Sequence, residues 1–367
     1  MAPKKVRRIF ISATGQNDGK TMVSLGLICA FKERFEQVGF IKPVGQRYLI
    51  VKNEKVDEDS VLIERICQIE CAIKDMSPIA IERGFTQKYI LNGGKEELVQ
   101  RIKSSFAAVA KDKELVVIEG TGHAGVGSVF DLSNATVARM LDSKVIIVSS
   151  GGIGRPIDQI MLNAALFEKA GVEIAGVIIN KVNPEKYDKV NRIVRKGLNN
   201  KGLRVLGVVP YKRMLAAPTV KQILEELDLK LLSKQAQLEK GIGNILVGAM
   251  GPHEAMKYFS DGNLIITPGD REDMISAVVG FQTNQVAAGV KISGIILTGG
   301  ITPNKDIVDL VKGAQIPLLL ARADTYSVAS AIHDLTVKVR PEDTEKVRII
   351  KELVENYIDL DGLIKQL

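Results

Sequence analysis

The sequence predicts an α/β protein, with a mostly parallel sheet covered by helices on both faces and a smaller α/β domain behind it. Three observations carry that prediction. Short apolar runs alternate with segments of helical spacing along most of the 367 residues, and helical crossovers between buried strands specify parallel pairing. The first strand-turn-helix unit holds FISATGQNDGKT at 10–21, a glycine- and asparagine-bearing turn closed by Gly-Lys-Thr. The pattern then turns polar from about Asp228 to Gly241 and restarts. That break places the domains at 1–237 and 238–340, with a C-terminal helix in 341–367 packed on the second domain.

Val6 to Ala13 is the first expected strand, and Gly19-Lys20-Thr21 opens a helix through Met22, Leu25, Gly26, Cys29 and Ala30. In such a turn the backbone N–H groups and the positive helix end converge on one point. A lysine ammonium there reaches terminal phosphates, and a threonine hydroxyl ligates magnesium. The expected ligand is a nucleoside triphosphate held by Thr14, Gly15, Gly19, Lys20 and Thr21. Thr14 stands where the usual motif has its first glycine, with Gly15 beside it. The competing account is an ordinary helix-capping turn.

Val38 to Val44 reads as a second buried strand, ending with Lys42 before Pro43, where ligands sit in parallel sheets. Standing alone, Lys42 would by default be a surface lysine at a strand end. Val56-Asp57-Glu58-Asp59-Ser60 begins a helix running to about Ile69. Its acids are ordinary dipole partners, and Asp59 is a candidate magnesium ligand. After a helix over 94–111, the apolar strand Glu114 to Ile118 delivers Glu119 into the loop EGTGHAGVGS. Phosphate-loop enzymes place a metal-holding carboxylate at such a strand end. His123 in that loop is either a donor to phosphate or substrate, or an exposed loop residue.

The alternation continues through strand 144–150, helix 156–170, strand 174–181, helix 185–200 and strand 204–209. Asn180-Lys181 closes one of these strands, a position that reads the base of a nucleotide or simply forms a turn. The second domain runs strand 244–250, helix 252–259, strand 263–267, helix 270–288, strand 292–298, helix 304–313 and strand 316–320, with the last helix from about Pro341 to Ile358. Its glycine points, Gly269-Asp270-Arg271 and Leu297-Thr298-Gly299-Gly300, fit a small anion site or, preferably, capping and tight turns.

An apolar fraction of 46% with 25% charged residues is that of a chain able to bury a full core. The net charge of +7 is spread among acids except at Lys4, Lys5, Arg7 and Arg8, and tryptophan is absent. Solvated faces and local phosphate sites are favoured over a nucleic-acid groove. No charged-then-apolar leader or membrane-length apolar span is read, and three cysteines, Cys29, Cys67 and Cys71, suit a reduced cytoplasmic protein. Cys67 and Cys71 lie a helical turn apart without further ligands nearby, which makes them core thiols rather than a metal site.

Taken in order, TGQNDGKT, IKPV, DEDS, IEGTGH, INKV and GVVP resemble the dethiobiotin synthetase-like P-loop NTPases. EGTGHAGVGSVFDLSNATVARML, GGIGRPID and VIINKVNPEK are still more similar to the synthetase-like N-terminal part of long bacterial phosphotransacetylases, a group often labelled with cobyrinic acid diamide synthases. GDRED and LTGG resemble the DRTGG domain that follows there. The resemblance implies a P-loop NTPase domain that binds ATP with Mg2+. It implies an ATPase or ligase activating a carboxylate or carbamate, with a non-catalytic nucleotide-sensing regulator or scaffold as the alternative.

By resemblance, Lys20 and Thr21 meet phosphates and magnesium, Lys42 the carboxylate or carbamate, Asp59 and Glu119 magnesium, and Asn180 the base, with Lys181 beside it. Nothing after residue 120 marks a diamine site, so biotin synthesis is not expected. The chain stops where an acetyl-transfer domain would begin, so acetyl-CoA and acetyl phosphate chemistry is not expected; nor is ammonia release from glutamine. A homodimer is expected, with the Val137, Met140 and Leu141 side of the helix in 126–141 facing either its own sheet or a partner. The second domain is the other candidate for that contact. An unidentified small-molecule substrate or effector completes the partners.

Overall fold

The computed structural model describes residues 6–233, 238–285, 289–335 and 337–367. Lys4 and Lys5, part of the polar stretch at 234–237, and the end of the helix expected over 270–288 lie outside the described residues. The chain divides into two compact units, one through Tyr211 together with Val339–Leu367, the other Lys212–Lys338.

The strands of the two main sheets are numbered in chain order. In the first unit β1 (Arg7–Ala13), β2 (Val38–Ile41), β3 (Leu115–Glu119), β4 (Lys144–Ser150), β5 (Ile174–Val182) and β6 (Val205–Pro210) lie in the order β6-β5-β4-β1-β3-β2. Every pairing is parallel. All residues of β2 and β3 are buried, as expected of strands covered on both faces. After β3 the chain crosses to the far side of β1. The C-terminal ends of β1, β3 and β4 therefore open on the crevice where ligands bind in open α/β sheets.

Helix α1 (Lys20–Lys32) follows β1 directly and buries Leu25, Leu27, Ile28 and Phe31. Its Gly26 is a notch for the last long helix, Thr344–Tyr357: a Cβ there would lie 2.3 Å from Val354 Cγ2. This corrects the expected packing of the C-terminal helix on the second domain. Ile350, Leu353 and Val354 are buried in the first unit, and the chain beyond is tied down by Asp359 N donating to Leu206 O (2.8 Å) and by an Arg204–Asp359 ion pair (2.6 Å). Val137 and Leu141 are also buried in this chain, which removes them as support for a dimer face.

In the second unit β7 (Lys230–Leu231), β8 (Asn244–Val247), β9 (Asn263–Pro268), β10 (Gly294–Thr298) and β11 (Leu318–Leu320) lie in the order β7-β11-β10-β9-β8. Only the β7–β11 pair is antiparallel. Ile265, Ile295 and Leu297 face one core with Met274 and Val278; Leu264, Ile266 and Ile296 face another with Val220, Ile223 and Val328. The helix Val220–Glu226 thus belongs to this unit, and the boundary lies before the polar stretch rather than at 237/238. The apolar pattern of Val220 and Ile223, not the polarity that follows, marks the division. The sequence reading also passed over the helix Thr325–His333 and the hairpin Tyr48–Val51/Glu54–Asp57.

Candidate functional site

The turn after β1 is held from both sides. Thr14 N donates to Val148 O (2.9 Å), and Thr14 Oγ1 donates to Asp18 Oδ2 (2.7 Å) while lying 3.0 Å from Ser149 Oγ. Asn180, at the end of β5, donates through Nδ2 to Asp18 O (2.9 Å) and accepts from Lys181 N (2.9 Å). Lys181 Nζ donates to Asn17 O. Asn180 is buried, and its side chain braces the loop through Asp18 O.

Gly19 is the N-cap of α1 with φ +92°, and a Cβ there would lie 2.2 Å from Asn180 Nδ2. Both facts demand glycine. No side chain caps α1 and its first turn carries no acid, so neither offsets the positive end of the helix at this loop. Lys20 is half-buried, and burial lowers its ammonium below the usual lysine range against the opposing pull of Glu119.

Lys42, Asp57, Asp59 and Glu119 form one buried cluster. Lys42 Nζ lies 2.9 Å from Asp57 Oδ1 and 3.8 Å from Glu119 Oε1, and it donates to Asp59 Oδ2. None of the four is more than 6% exposed, so Lys42 is no surface lysine. Burial alone would lower the Lys42 ammonium, but Asp59, then Asp57 and Glu119, hold it above the usual value. Burial raises the carboxyls of Asp57 and Glu119 against the pull of Lys42. Three carboxylates face Lys42 in low dielectric, with the Lys20 ammonium also acting on Glu119 and Asp59, which leaves a negative excess that is costly and that a further cation would offset.

Glu119 shows where that cation fits. Thr21 Oγ1 donates to Glu119 Oε1 (3.1 Å), whereas Glu119 Oε2 is buried with no hydrogen-bond partner among the described residues. Magnesium is held by one or two carboxylates, a hydroxyl and substrate phosphates rather than by a closed protein cage. Accordingly, the described residues contain no group of three His, Cys, Asp or Glu side chains arranged as a metal cage, while the Thr21–Glu119 pair suits the partial set.

The structure brings Thr14, Gly15, Gly19, Lys20, Thr21, Asn180 and Lys181 to one loop and Lys42, Asp59 and Glu119 beneath it. Sequence reasoning missed Asp18 and Asp57 as site residues. Asp57 caps the helix Glu58–Cys67 by accepting from Asp59 N (3.0 Å) while bonding Lys42. The available signal was its spacing two residues before Asp59. His123 is exposed, accepting from Gly125 N at Nδ1 (3.2 Å), and joins neither group.

Comparison with known proteins follows this geometry. A model described as AAA domain matches residues 7–219, and one described as DRTGG domain matches 222–335. A phosphate acetyltransferase of Nitrosomonas europaea is 25% identical over 97% of this chain and 51% of its own length. One from Pseudomonas aeruginosa is 27% identical over 96% and 51%. The chain spans about half the length of the curated relatives it matches. The MinC:MinD cell division protein complex of Aquifex aeolicus overlaps 57% of this chain and 84% of that chain, with 18% identity and a TM-score of 0.37.

These findings support an α/β P-loop nucleotide-binding domain followed by a DRTGG domain. They correct two expectations. The ATP-dependent ligase or ATPase reading is given up, because relatives aligned over nearly the whole chain are named phosphate acetyltransferase. The exclusion of acetyl-transfer chemistry falls with it, since it rested on where the chain ends while the relatives carry that name.

Proposed function

This chain belongs to the AAA domain family, and from that membership we propose that its first unit binds ATP with magnesium at residues 14–21 to control acetyl transfer to phosphate, the activity its relatives are named for. The observation that carries the nucleotide half is the partnerless Glu119 Oε2 beside Thr21, at the mouth of a loop whose helix end is uncapped. In this reading Lys20 meets the terminal phosphates, and the N–H groups from Gly15 to Thr21 surround them. Thr21, Glu119 and Asp59 hold magnesium, which neutralises phosphate charge when bound. Lys42 holds the carboxylates in place, and Asn180 and Lys181 keep the loop in its binding shape.

The nucleotide acts here as an effector, alongside an unidentified small molecule at the transfer centre. A cytoplasmic homodimer is part of the same reading. It is in keeping with three points: no described helix is long and apolar enough to cross a membrane, the cysteines are free thiols, and two-fold dimers are the commonest closed assemblies.

The test has two arms. Calorimetric titration of ATP in excess magnesium should give saturable binding that Lys20→Ala abolishes; no heat with millimolar nucleotide sinks the loop reading. Coenzyme A release from acetyl-CoA and phosphate, measured with and without ATP, addresses the second half. Activity that ignores bound nucleotide, or no activity in a chain that binds it, overturns the control proposal while leaving nucleotide binding intact.

A further inference from the structure

Two thiols that the sequence leaves 38 positions apart meet between two helices that lead away from the site: Cys29 Sγ on α1 lies 3.7 Å from Cys67 Sγ, the last residue of the helix Glu58–Cys67. We propose that Cys29 and Cys67 are an oxidation site that closes to an intramolecular disulfide with hydrogen peroxide as oxidant.

The environment favours that chemistry. Cys29 is half-buried and open to a small oxidant, while Cys67 is 4% exposed. The two sulfurs share a hydrogen bond that, with Lys351 and Lys32 nearby, lowers the Cys29 thiol below the usual cysteine range; the same bond and burial raise Cys67. Cys29 is thus the more acidic of the two thiols and the one that more readily supplies a thiolate. Lys32 Nζ also donates to Cys67 O, tying the two helices at this point. Cys71, though near in sequence, is held high by burial and then by Asp75.

The Cys29 thiolate attacks one peroxide oxygen, forming S–O and breaking O–O, and the expelled hydroxide takes a proton from solvent. Cys67 sulfur then attacks the Cys29 sulfenic acid, forming S–S and breaking S–O, and its proton leaves with the hydroxyl as water. Two thiols lose two hydrogens and two electrons, and peroxide becomes two waters. The bond would join the helix that opens with Lys20-Thr21 to the helix whose first turn carries Asp59, near the ends of those helices that lie away from the carboxylate cluster. The oxidation site itself does not depend on nucleotide binding.

The experiment treats the full chain with a few equivalents of hydrogen peroxide, blocks remaining thiols, digests it and maps the peptides by mass. The expected product is a Cys29–Cys67 cross-linked peptide, two hydrogens lighter than its parts and reversed by dithiothreitol, in the wild type and in Cys71→Ser. Cys29→Ser should lack it; should the buried Cys67→Ser fail to fold, the partly exposed Cys29→Ser carries the control. An increase in melting temperature that dithiothreitol removes is expected alongside. Free thiols at both positions after treatment, Cys29 sulfinic acid with Cys67 untouched, or a Cys67–Cys71 bridge overturns the proposal.

Discussion

The two sheets end in similar loops, and the loops have opposite fates. At the C-terminal edge of the first sheet, polar groups are buried faster than they are satisfied: three carboxylates share Lys42, and Glu119 Oε2 has no partner. At the same edge of the second sheet, the groups are spent on structure. Arg271 bonds Asp273 (2.8 Å) and the carbonyls of Gly248 and Met250, Glu272 accepts from Asn304, and Thr298 Oγ1 pairs with Thr325 Oγ1 (2.7 Å). Its exception is the buried hydroxyl of Thr267, which lacks a partner. A neutral hydroxyl left unpaired costs about 1–3 kcal/mol, whereas an unpaired buried charge costs several. Glycine and a strand end make a loop; an unpaid buried charge makes a site.

The sharpest way to break this comparison is Lys42→Met. Removing one partner from a buried ion cluster typically costs about 3–5 kcal/mol, because the remaining charges stay buried. Urea unfolding should show a loss of that size, and adding Asp59→Asn should recover part of it, since the two residues touch. A loss below about 1 kcal/mol would mean that the cluster is solvated and the contrast with the second sheet is false. Next in size is the ligand effect. A nucleotide bound only by the folded state at a hundredfold excess over its dissociation constant adds about 2.7 kcal/mol. That gain should appear with ATP and magnesium as a higher melting temperature and disappear in Lys20→Ala.

Glu119→Gln tests the charge excess through pH. The Glu119 carboxyl is raised in the folded state, by burial first, so the folded chain binds its proton more tightly than the unfolded chain does. Stability from this group is therefore highest below its unfolded pKa and falls as pH rises through the raised folded value. Glutamine carries no such charge. Without ligand, Glu119→Gln should be more stable relative to wild type at about pH 7.5 than at about pH 5. An equal difference at both pH values would place Glu119 in a compensated environment, like the acids of the second unit.

Much of this contrast was legible in the sequence, and its limits have physical causes. The loop, Lys42 and Glu119 stand at the ends of strands of the first sheet, and parallel topology brings strand ends together whatever lies between them, while Asp59 stood out as an acid opening a helix. Lys42 and Glu119 meet because β2 and β3 are neighbours. Local reading fails where a residue serves two masters. Asp57 looks like a helix cap and is one, yet the same oxygen, Oδ1, also holds Lys42. Asn180 looks like a ligand contact, and its support of the loop backbone was not readable from its place at a strand end. The C-terminal helix was misplaced for a related reason: its apolar face was readable, but its partner is a missing side chain, Gly26, on a helix more than three hundred residues earlier.

Backbone geometry offers a smaller test of the same contrast. Gly19→Ala places an L residue at φ +92° and drives its Cβ to 2.2 Å from Asn180 Nδ2, so the brace must move. Gly300→Ala in the second unit has φ +68° but nothing nearer than 3.9 Å, at Arg322 Cα. Left-handed backbone alone costs about 1–2 kcal/mol. Gly300→Ala should lose that much and no more, while Gly19→Ala should lose more and weaken ATP binding as well. Equal losses would show that Asn180 yields freely and does not set the loop.

The smallest expected effect is the control for all the others. Thr219 caps the helix Val220–Glu226 through a reciprocal box: Gln222 N donates to Thr219 Oγ1 (3.2 Å), and Thr219 N donates to Gln222 Oε1 (2.9 Å). Both residues are buried in the second unit, so Thr219→Ala leaves the Gln222 N–H without its acceptor. Loss of such a cap costs about 1 kcal/mol, and nothing charged is exposed or stranded. The variant should therefore lower the urea midpoint slightly at every pH and leave the increment from ATP and magnesium unchanged. That pattern is what separates a structural polar group from a functional one in this chain. If Thr219→Ala instead reduces the ATP increment as Lys20→Ala does, global stability governs the nucleotide response. The first sheet's edge then loses its claim to be different in kind.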